Sequence, residues 1–317
     1  MAEQWTFKKG LVETGNGIYA YLQPDGGWGW SNAGLVTDGD QSLLVDTLFD
    51  AKLTREMLST MADAANVKAA DIGTVVNTHA NGDHTHGNGL CTSAEIIASE
   101  ASANEMVPAS GLQQLMQGAA DYGEVGQYFL DAFGSFDFAD VAEKMPTKTF
   151  NGEMTVTVGD KTVELIEVGP AHTAGDVLVH VPGDSTVFTG DILFINGTPL
   201  MWNGPVSNWI RACERIVEMK PDVIVPGHGP ITDIAGVKRV QEYLAYIDTE
   251  ARKRFDDGMS VLDAALDIAI TDYESWLDSE RIAINVNTLY REYSGTEEAP
   301  NIIELFTMMA EVRRARG

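Results

Sequence analysis

The chain has 317 residues, 44% of them hydrophobic, with 21 Lys and Arg against 47 Asp and Glu for a formal net charge of −26. That is enough apolar chain for a sizeable core. The charge excludes the usual nucleic-acid and anionic-membrane binders, and no basic run is present to hold a polyanionic substrate.

No run approaches the ~18 apolar residues of a membrane span. The stretch 1–10 is polar and lacks the apolar centre of a secretory signal. The two cysteines, Cys91 and Cys213, have neither metal nor redox spacing and read as buried thiols. The expectation is a cytoplasmic protein in a reducing compartment.

Short β-like runs come first in the chain. Residues 17–22 are apolar and aromatic, and 32–37 and 42–46 flank the hairpin turn Asp38-Gly39-Asp40. Between them Pro24 to Trp30 is a glycine-rich loop with two tryptophans, which either cap the core or cover an apolar substrate. Residues 50–65 have helical spacing, with Leu53, Met57, Leu58 and Met61 on one face and Asp50 as N-cap. Strands are predicted at 73–76 and 95–99. The segment 101–143 is rich in apolar residues at helical spacing but is interrupted by Pro108, Gly111, Gly118, Gly123 and Gly134. It reads as two or three short helices, an insertion that serves as a lid over a pocket or packs on the core.

A second β series follows. Runs 154–158 and 162–168 flank Gly159-Asp160-Lys161, and 177–181 and 186–189 flank the turn that begins at Pro182. Residues 207–219 form an amphipathic helix with Ser207 as N-cap, and 222–225 a buried strand. Beyond 235 the chain is helical at 239–257, 260–270, 279–293 and 302–314. No Gly/Ser/Pro linker interrupts it. We therefore expect a single domain over 1–317, with a helical insertion near 101–143 and a helical C-terminal extension near 235–317. That extension is a candidate dimer surface or pocket wall, so a homo-oligomer is among the expectations.

The chemistry concentrates after the strand 73–76. From Asn77 to Asn88 lie His79, Asn81, Asp83, His84 and His86, half of the six histidines of the chain. Imidazoles and a carboxylate at the mouth of a strand are the donors a divalent metal takes. Three later loops repeat the arrangement of a strand followed by a Gly- or Pro-marked turn with one ligand-type residue. They carry His172 beside Pro170, Asp191 after Gly190, and His228 between Gly227 and Gly229. Small neighbours let the backbone crowd a metal.

This order resembles the metallo-β-lactamase superfamily, whose pattern is H-x-H-x-D-H, then a single His, a bridging Asp and a last His. The resemblance spans roughly 17–230. It implies an α/β fold, an αββα four-layer sandwich with the metal site at one edge. It further implies His79 and His172 as ligands of a first metal, Asp83, His84 and His228 as ligands of a second, and Asp191 as the bridge. Asn81 stands where the pattern has its second His, and an amide oxygen is a poorer zinc ligand than imidazole. Asn81 then ligates through oxygen, or contacts a water on the metal, or leaves the first site weak or empty. His86 matches no ligand and reads as a supporting or surface residue, Asp176 as a turn residue or an orienter of His172. His180 has no assigned role.

The resemblance implies one or two Zn²⁺, with Fe or Mn as alternatives. Zinc lowers the pKa of its water to ~7. Asp83 and Asp191 are the candidate catalytic residues, holding the nucleophile and passing its proton to the leaving group. The expected function is hydrolysis of a small carbonyl substrate, an ester, lactone or thioester rather than a β-lactam or phosphodiester. The expected partner is this small molecule, with no nucleic acid and no membrane. Two alternatives are carried. One is a mononuclear non-haem iron dioxygenase of the persulfide-dioxygenase kind, built on His79, His172 and Asp191. The other is a non-catalytic metal-binding scaffold.

Overall fold

The computed structural model describes residues 5–296 and 300–316, so the first four residues of the polar N-terminal stretch lie outside the described residues. The first half of the chain gives the strands β1 (Gly10–Gly15), β2 (Ile18–Leu22), β3 (Ala33–Asp38) and β4 (Gln41–Val45), then the helix α1 (Ala51–Ala65). Next come β5 (Thr74–Val76), α2 (Gly82–Thr85), β6 (Glu95–Ser99), α3 (Glu100–Glu105), α4 (Ser110–Gly118), α5 (Gly123–Phe133) and β7 (Lys148–Phe150). The second half gives β8 (Glu153–Val158), β9 (Lys161–Glu167), β10 (Val177–Val181), β11 (Thr186–Phe188), α6 (Val206–Met219) and β12 (Val223–Val225). The C-terminal helices are α7 (Ile234–Asp256), α8 (Val261–Asp267), α9 (Ile282–Ser294) and α10 (Ile302–Arg316).

Two sheets result, one in the order β1 to β7 and one in the order β12-β11-β10-β9-β8. Period-two alternation makes both of them two-faced. Ile18, Ala20, Leu22, Val36, Leu43 and Val45 of the first sheet meet Val163, Leu165, Val177, Val179 and Val181 of the second in one buried cluster. The opposite faces meet the helices in another. It joins Leu35, Leu44, Val75 and Ile96 of the first sheet, Leu178, Val187 and Ile224 of the second, and side chains of α1 and α6 such as Met57, Met61, Trp209 and Ile216. Burial of these apolar faces drives the four-layer αββα arrangement.

Most predicted elements stand within a residue or two of the strands and helices observed. Asp50 caps α1, its Oδ1 accepting the Leu53 N–H at 2.7 Å. Ser207 does not cap α6. It lies inside the helix and Pro205 holds the cap position with an extended backbone, a place where a missing N–H costs nothing. Strands β1 and β7 escape sequence reading. Each is an edge strand, β1 half-exposed along its length and β7 only three residues long, so neither carries a strong apolar pattern.

The insertion forms three short helices that divide in character. Tyr128, Phe129 and Phe133 of α5, with Phe136 and Phe138 after it, are core residues, and Phe49 lies 4.9 Å from both Phe136 and Phe138. Helix α4 buries no residue, and Val107 and Tyr122 near it are exposed. The two loop tryptophans are half-buried caps of this same aromatic core, Trp28 at 5.4 Å from Phe133 and Trp30 at 4.9 Å from Phe136. Both cysteines are free and buried, and burial pushes both thiols up to about 12, which leaves them unreactive. No described helix is long and apolar enough to cross a membrane.

Candidate metal centre

Strand direction gathers the ligand-type residues. β9 and β11 are both antiparallel to β10, and β12 is parallel to β11, so the C-terminal ends of β9, β11 and β12 share one edge. His172, Asp191 and His228 follow those three ends. The end of β5 meets the same edge, where the Val177 N–H donates to Thr78 O at 2.8 Å. Asn32 closes it from β2 and β3, donating through Nδ2 to Pro226 O at 3.0 Å and Gly229 O at 2.8 Å, on either side of His228. The crowding is tight enough to require glycine. A Cβ on Gly227 lies 2.0 Å from Asp191 Oδ1, and one on Gly190, at φ +49°, lies 2.4 Å from Thr78 Oγ1.

Asp191 is the hub. Its carboxylate oxygens lie 3.2 Å from His84 Nε2, 3.3 Å from His172 Nε2, 3.5 Å from His228 Nε2 and 3.7 Å from His79 Nε2. Asp83 Oδ2 lies 3.3 Å from His228 Nε2 and 3.8 Å from His84 Nε2. Ligands bound at ~2.0–2.1 Å around a tetrahedral ion stand roughly 3.3 Å from one another, so this spacing suits a shared metal. His79 Nε2, His84 Nε2 and Asp191 Oδ1 are also buried without a hydrogen-bond partner. Buried polar atoms are rarely left so, and a cation among them satisfies all three. Among the described residues two overlapping groups have metal-ligand spacing, His79 with His84 and Asp191, and Asp83 with His84 and His228.

Every imidazole is turned by a bond at its other nitrogen. His84 Nδ1–H donates to Asp46 Oδ2 at 2.9 Å, and His172 Nδ1–H to Leu200 O at 2.5 Å. His228 Nδ1–H donates to Gly26 O at 3.2 Å. Thr78 Oγ1 gives its proton to Asp46 Oδ2 at 2.7 Å, so it accepts from His79 Nδ1–H at 3.0 Å. With Nδ1 protonated in each ring, it is Nε2 that faces inward, as a lone pair whenever the ring is neutral.

The electrostatics call for positive charge at the centre. Burial alone raises the Asp83 and Asp191 carboxyls, but the surrounding histidines outweigh it and hold both below the usual carboxylate range. Burial likewise opposes protonation of His84 and His228, yet Asp191 and Asp83 prevail, raising both and bringing His228 to about 9. His79 and His172 are lowered, first by burial.

Asn81 Oδ1 lies 2.8 Å from His172 Nε2. His172 spends its Nδ1 proton on Leu200, so the Nε2 lone pair of a neutral ring and the Asn81 oxygen face one another, as two donors to a shared cation do.

His86 is buried, and so is not a surface residue. Its Nδ1–H donates to Phe49 O at 3.2 Å and its ring stacks on Phe49, backing the ligand loop. It ends the short helix α2 rather than starting a helix. Asp176 is a turn residue, accepting from Thr173 N–H at 3.0 Å and Thr173 Oγ1 at 2.7 Å, and it fixes the loop of His172. Burial raises its carboxyl to about 7. His180 pairs with Glu164 on the neighbouring strand.

Sequence reading missed Asp46, Thr78 and Asn32. The signal available for Asp46 was an acid closing a fully apolar run, Leu43-Leu44-Val45-Asp46, since parallel strands deliver functional residues at their C-terminal ends.

Residues 26–228 match the metallo-β-lactamase superfamily, and the chain belongs to that family. A β-lactamase-like protein 2 homolog of Drosophila melanogaster is 22% identical over 206 residues, 64% of this chain and 60% of that protein. A hydroxyacylglutathione hydrolase of Hyphomonas neptunium is 25% identical over 145 residues, 45% of this chain and 48% of that protein. The structure of the sec-alkylsulfatase Pisa1 from Pseudomonas sp. superposes with a TM-score of 0.66 and 14% identity, covering 91% of this chain and 50% of that one. The chain thus spans about half to three fifths of the length of these relatives.

Proposed function

We propose that this chain is a metal-dependent hydrolase of small carbonyl substrates, esters, lactones or thioesters. One observation carries the reading. Three inward-facing imidazoles, His79, His84 and His228, and the carboxylates of Asp83 and Asp191 converge at metal-ligand spacing, with three of their atoms buried and otherwise unpartnered, and His172 Nε2 stands 3.3 Å from Asp191. The residues assigned as ligands are His79 and His172 for one ion, Asp83, His84 and His228 for another, and Asp191 between them. Such an ion supplies a Lewis acid and acidifies water to a pKa of about 7.

The side chains divide the remaining work. Asp83 is the more open carboxylate, its side chain 13% exposed against 5% for Asp191. It accepts the proton of the attacking water and hands it to the leaving oxygen or sulfur as the acyl bond breaks. Asp191, ringed by histidines, stays ionised and holds them in register. The substrate side is aromatic. Trp202, whose backbone N–H donates to His172 O, and Trp28, two residues from the carbonyl that binds His228, have their rings 6.5 and 5.8 Å from that of Phe306. This wall supports an apolar acyl or leaving group. The hydroxyacylglutathione hydrolase among the relatives acts on a thioester by name, which supports keeping thioesters in the class.

The test is elemental analysis of the purified protein joined to a panel of lactone, thioester, aryl ester and β-lactam substrates. Zinc with chelator-sensitive turnover of the first three is expected. Iron with dioxygen consumption and no hydrolysis overturns the reading in favour of an oxygenase using His79, His172 and Asp191. Bound metal with neither activity points to a scaffold.

Asn81 makes the first site the weaker of the two, because it offers an amide where the second offers a full set of charged and imidazole donors. Asn81→His is expected to raise the bound metal per chain toward two, read by elemental analysis after dialysis. An unchanged ratio counts against the missing imidazole as the cause.

A further inference from the structure

We propose that Asn285, on helix α9 of the C-terminal extension, is a positioning residue that sets His172 in the metal centre. The proposal rests on the reading of His172 as a metal ligand.

The loop after Asp191 grips His172 at three points. Trp202 N–H and Asn203 N–H donate to His172 O at 3.1 and 3.2 Å, and Leu200 O accepts the His172 Nδ1–H at 2.5 Å. The direction of that Leu200 carbonyl therefore decides where His172 Nε2 points. The Leu200 side chain is buried in the core, and Asn285 holds the backbone on both sides of it. Its Oδ1 accepts the Met201 N–H at 2.8 Å and its Nδ2 donates to Pro199 O at 2.8 Å. A second bond from Nδ2 to Tyr243 Oη, at 3.0 Å, orients the amide. One turn further along α9, Thr288 Oγ1 donates to Met201 O at 2.7 Å. Asn285 is fully buried and Thr288 nearly so, where such bonds are costly to leave unmade.

The amide is thus a fork that brackets Leu200, and its geometry passes through one carbonyl to the imidazole. Asn285 lies beyond the 26–228 segment that defines the family. The extension then contributes to the centre itself.

Outer partners of metal ligands typically alter metal affinity by about 10–100-fold. The experiment measures zinc affinity by competition with a chromophoric chelator in Asn285→Ala, His172→Ala, the double variant, and Val286→Ala. Val286 is buried on the same helix and serves as a packing control. Asn285→Ala is expected to weaken zinc about 10–100-fold at the site that His172→Ala weakens, and to add no further loss once His172 is alanine. Val286→Ala is expected to lower the Tm without changing zinc affinity. Unchanged affinity in Asn285→Ala, or an equal loss with and without His172, overturns the proposal while leaving the metal centre intact. Unchanged affinity in His172→Ala overturns the assignment of His172 and the proposal with it. Should Asn285→Ala fail to fold, Thr288→Val takes its place, with a smaller loss of zinc affinity expected and no loss overturning the proposal.

Discussion

Alanine at Asp83 or at His228 is expected to abolish binding at the second metal site and to take hydrolysis with it. The loss should exceed the about 10–100-fold effect typical of outer partners, because on the proposed assignment each of these residues donates directly. Asp83 Oδ2 stands 3.3 Å from His228 Nε2 and 3.8 Å from His84 Nε2. Removing either leaves His84 and Asp191 with one neighbour too few for a closed shell. In the metal-free fold Asp83→Ala should also cost some stability, because His84 and His228 favour the Asp83 carboxylate and outweigh its repulsion from Asp191. Thermal melts separate the two effects. At zinc a hundredfold above its Kd the native chain gains about 2.7 kcal/mol of stability, whereas the variants gain none from that site. Metal content and turnover unchanged in both variants would sink the assignment.

Asp46→Asn is expected to be damaging although it is isosteric and lies outside the proposed ligand set. Asp46 Oδ1 accepts the Thr78 N–H at 2.7 Å, and Oδ2 accepts both Thr78 Oγ1–H at 2.7 Å and His84 Nδ1–H at 2.9 Å. An amide in the same place keeps the first bond but turns its NH₂ toward two donors. His84 then relieves the conflict by moving its proton to Nε2, the atom that faces Asp191 and Asp83, and so loses the lone pair a metal needs. Thr78 Oγ1, in turn, can no longer donate to position 46 while it accepts from His79. Metal affinity should fall about 10–100-fold, with a loss of about 1–3 kcal/mol in stability for the unmatched buried donors. Chelator competition and urea unfolding on the same variant check both. Metal affinity equal to that of the native chain means that Asp46 has no hold on His84.

Much of this was legible in the order of residues. Short apolar and aromatic runs such as Ile18 to Leu22, bounded by turn residues, announced strands. The helical spacing of Leu53, Met57 and Met61 announced α1. The ligand-type residues stood out because they cluster in loops after apolar strands, the three later ones in Gly- or Pro-marked turns, so the motif carries its own local signal. The edge strands β1 and β7 did not stand out, since half-exposed or three-residue strands leave no pattern. Phe133 and Phe136 read equally well as lid or core, because helical periodicity says which face is apolar but not what covers it.

By itself, then, the sequence determined the two β series, the framing helices and the roster of ligand-type side chains, all of which are local properties of composition and spacing. Only the tertiary structure decided how those side chains are aimed. Asp46 reaches His84 across 38 positions, Leu200 reaches His172 across 28, and Asn285 reaches Pro199 across 86. Orientation at the centre comes from hydrogen bonds between backbone and side chains far apart in the chain. No periodicity records such contacts, because they exist only once the two sheets and the C-terminal helices have packed.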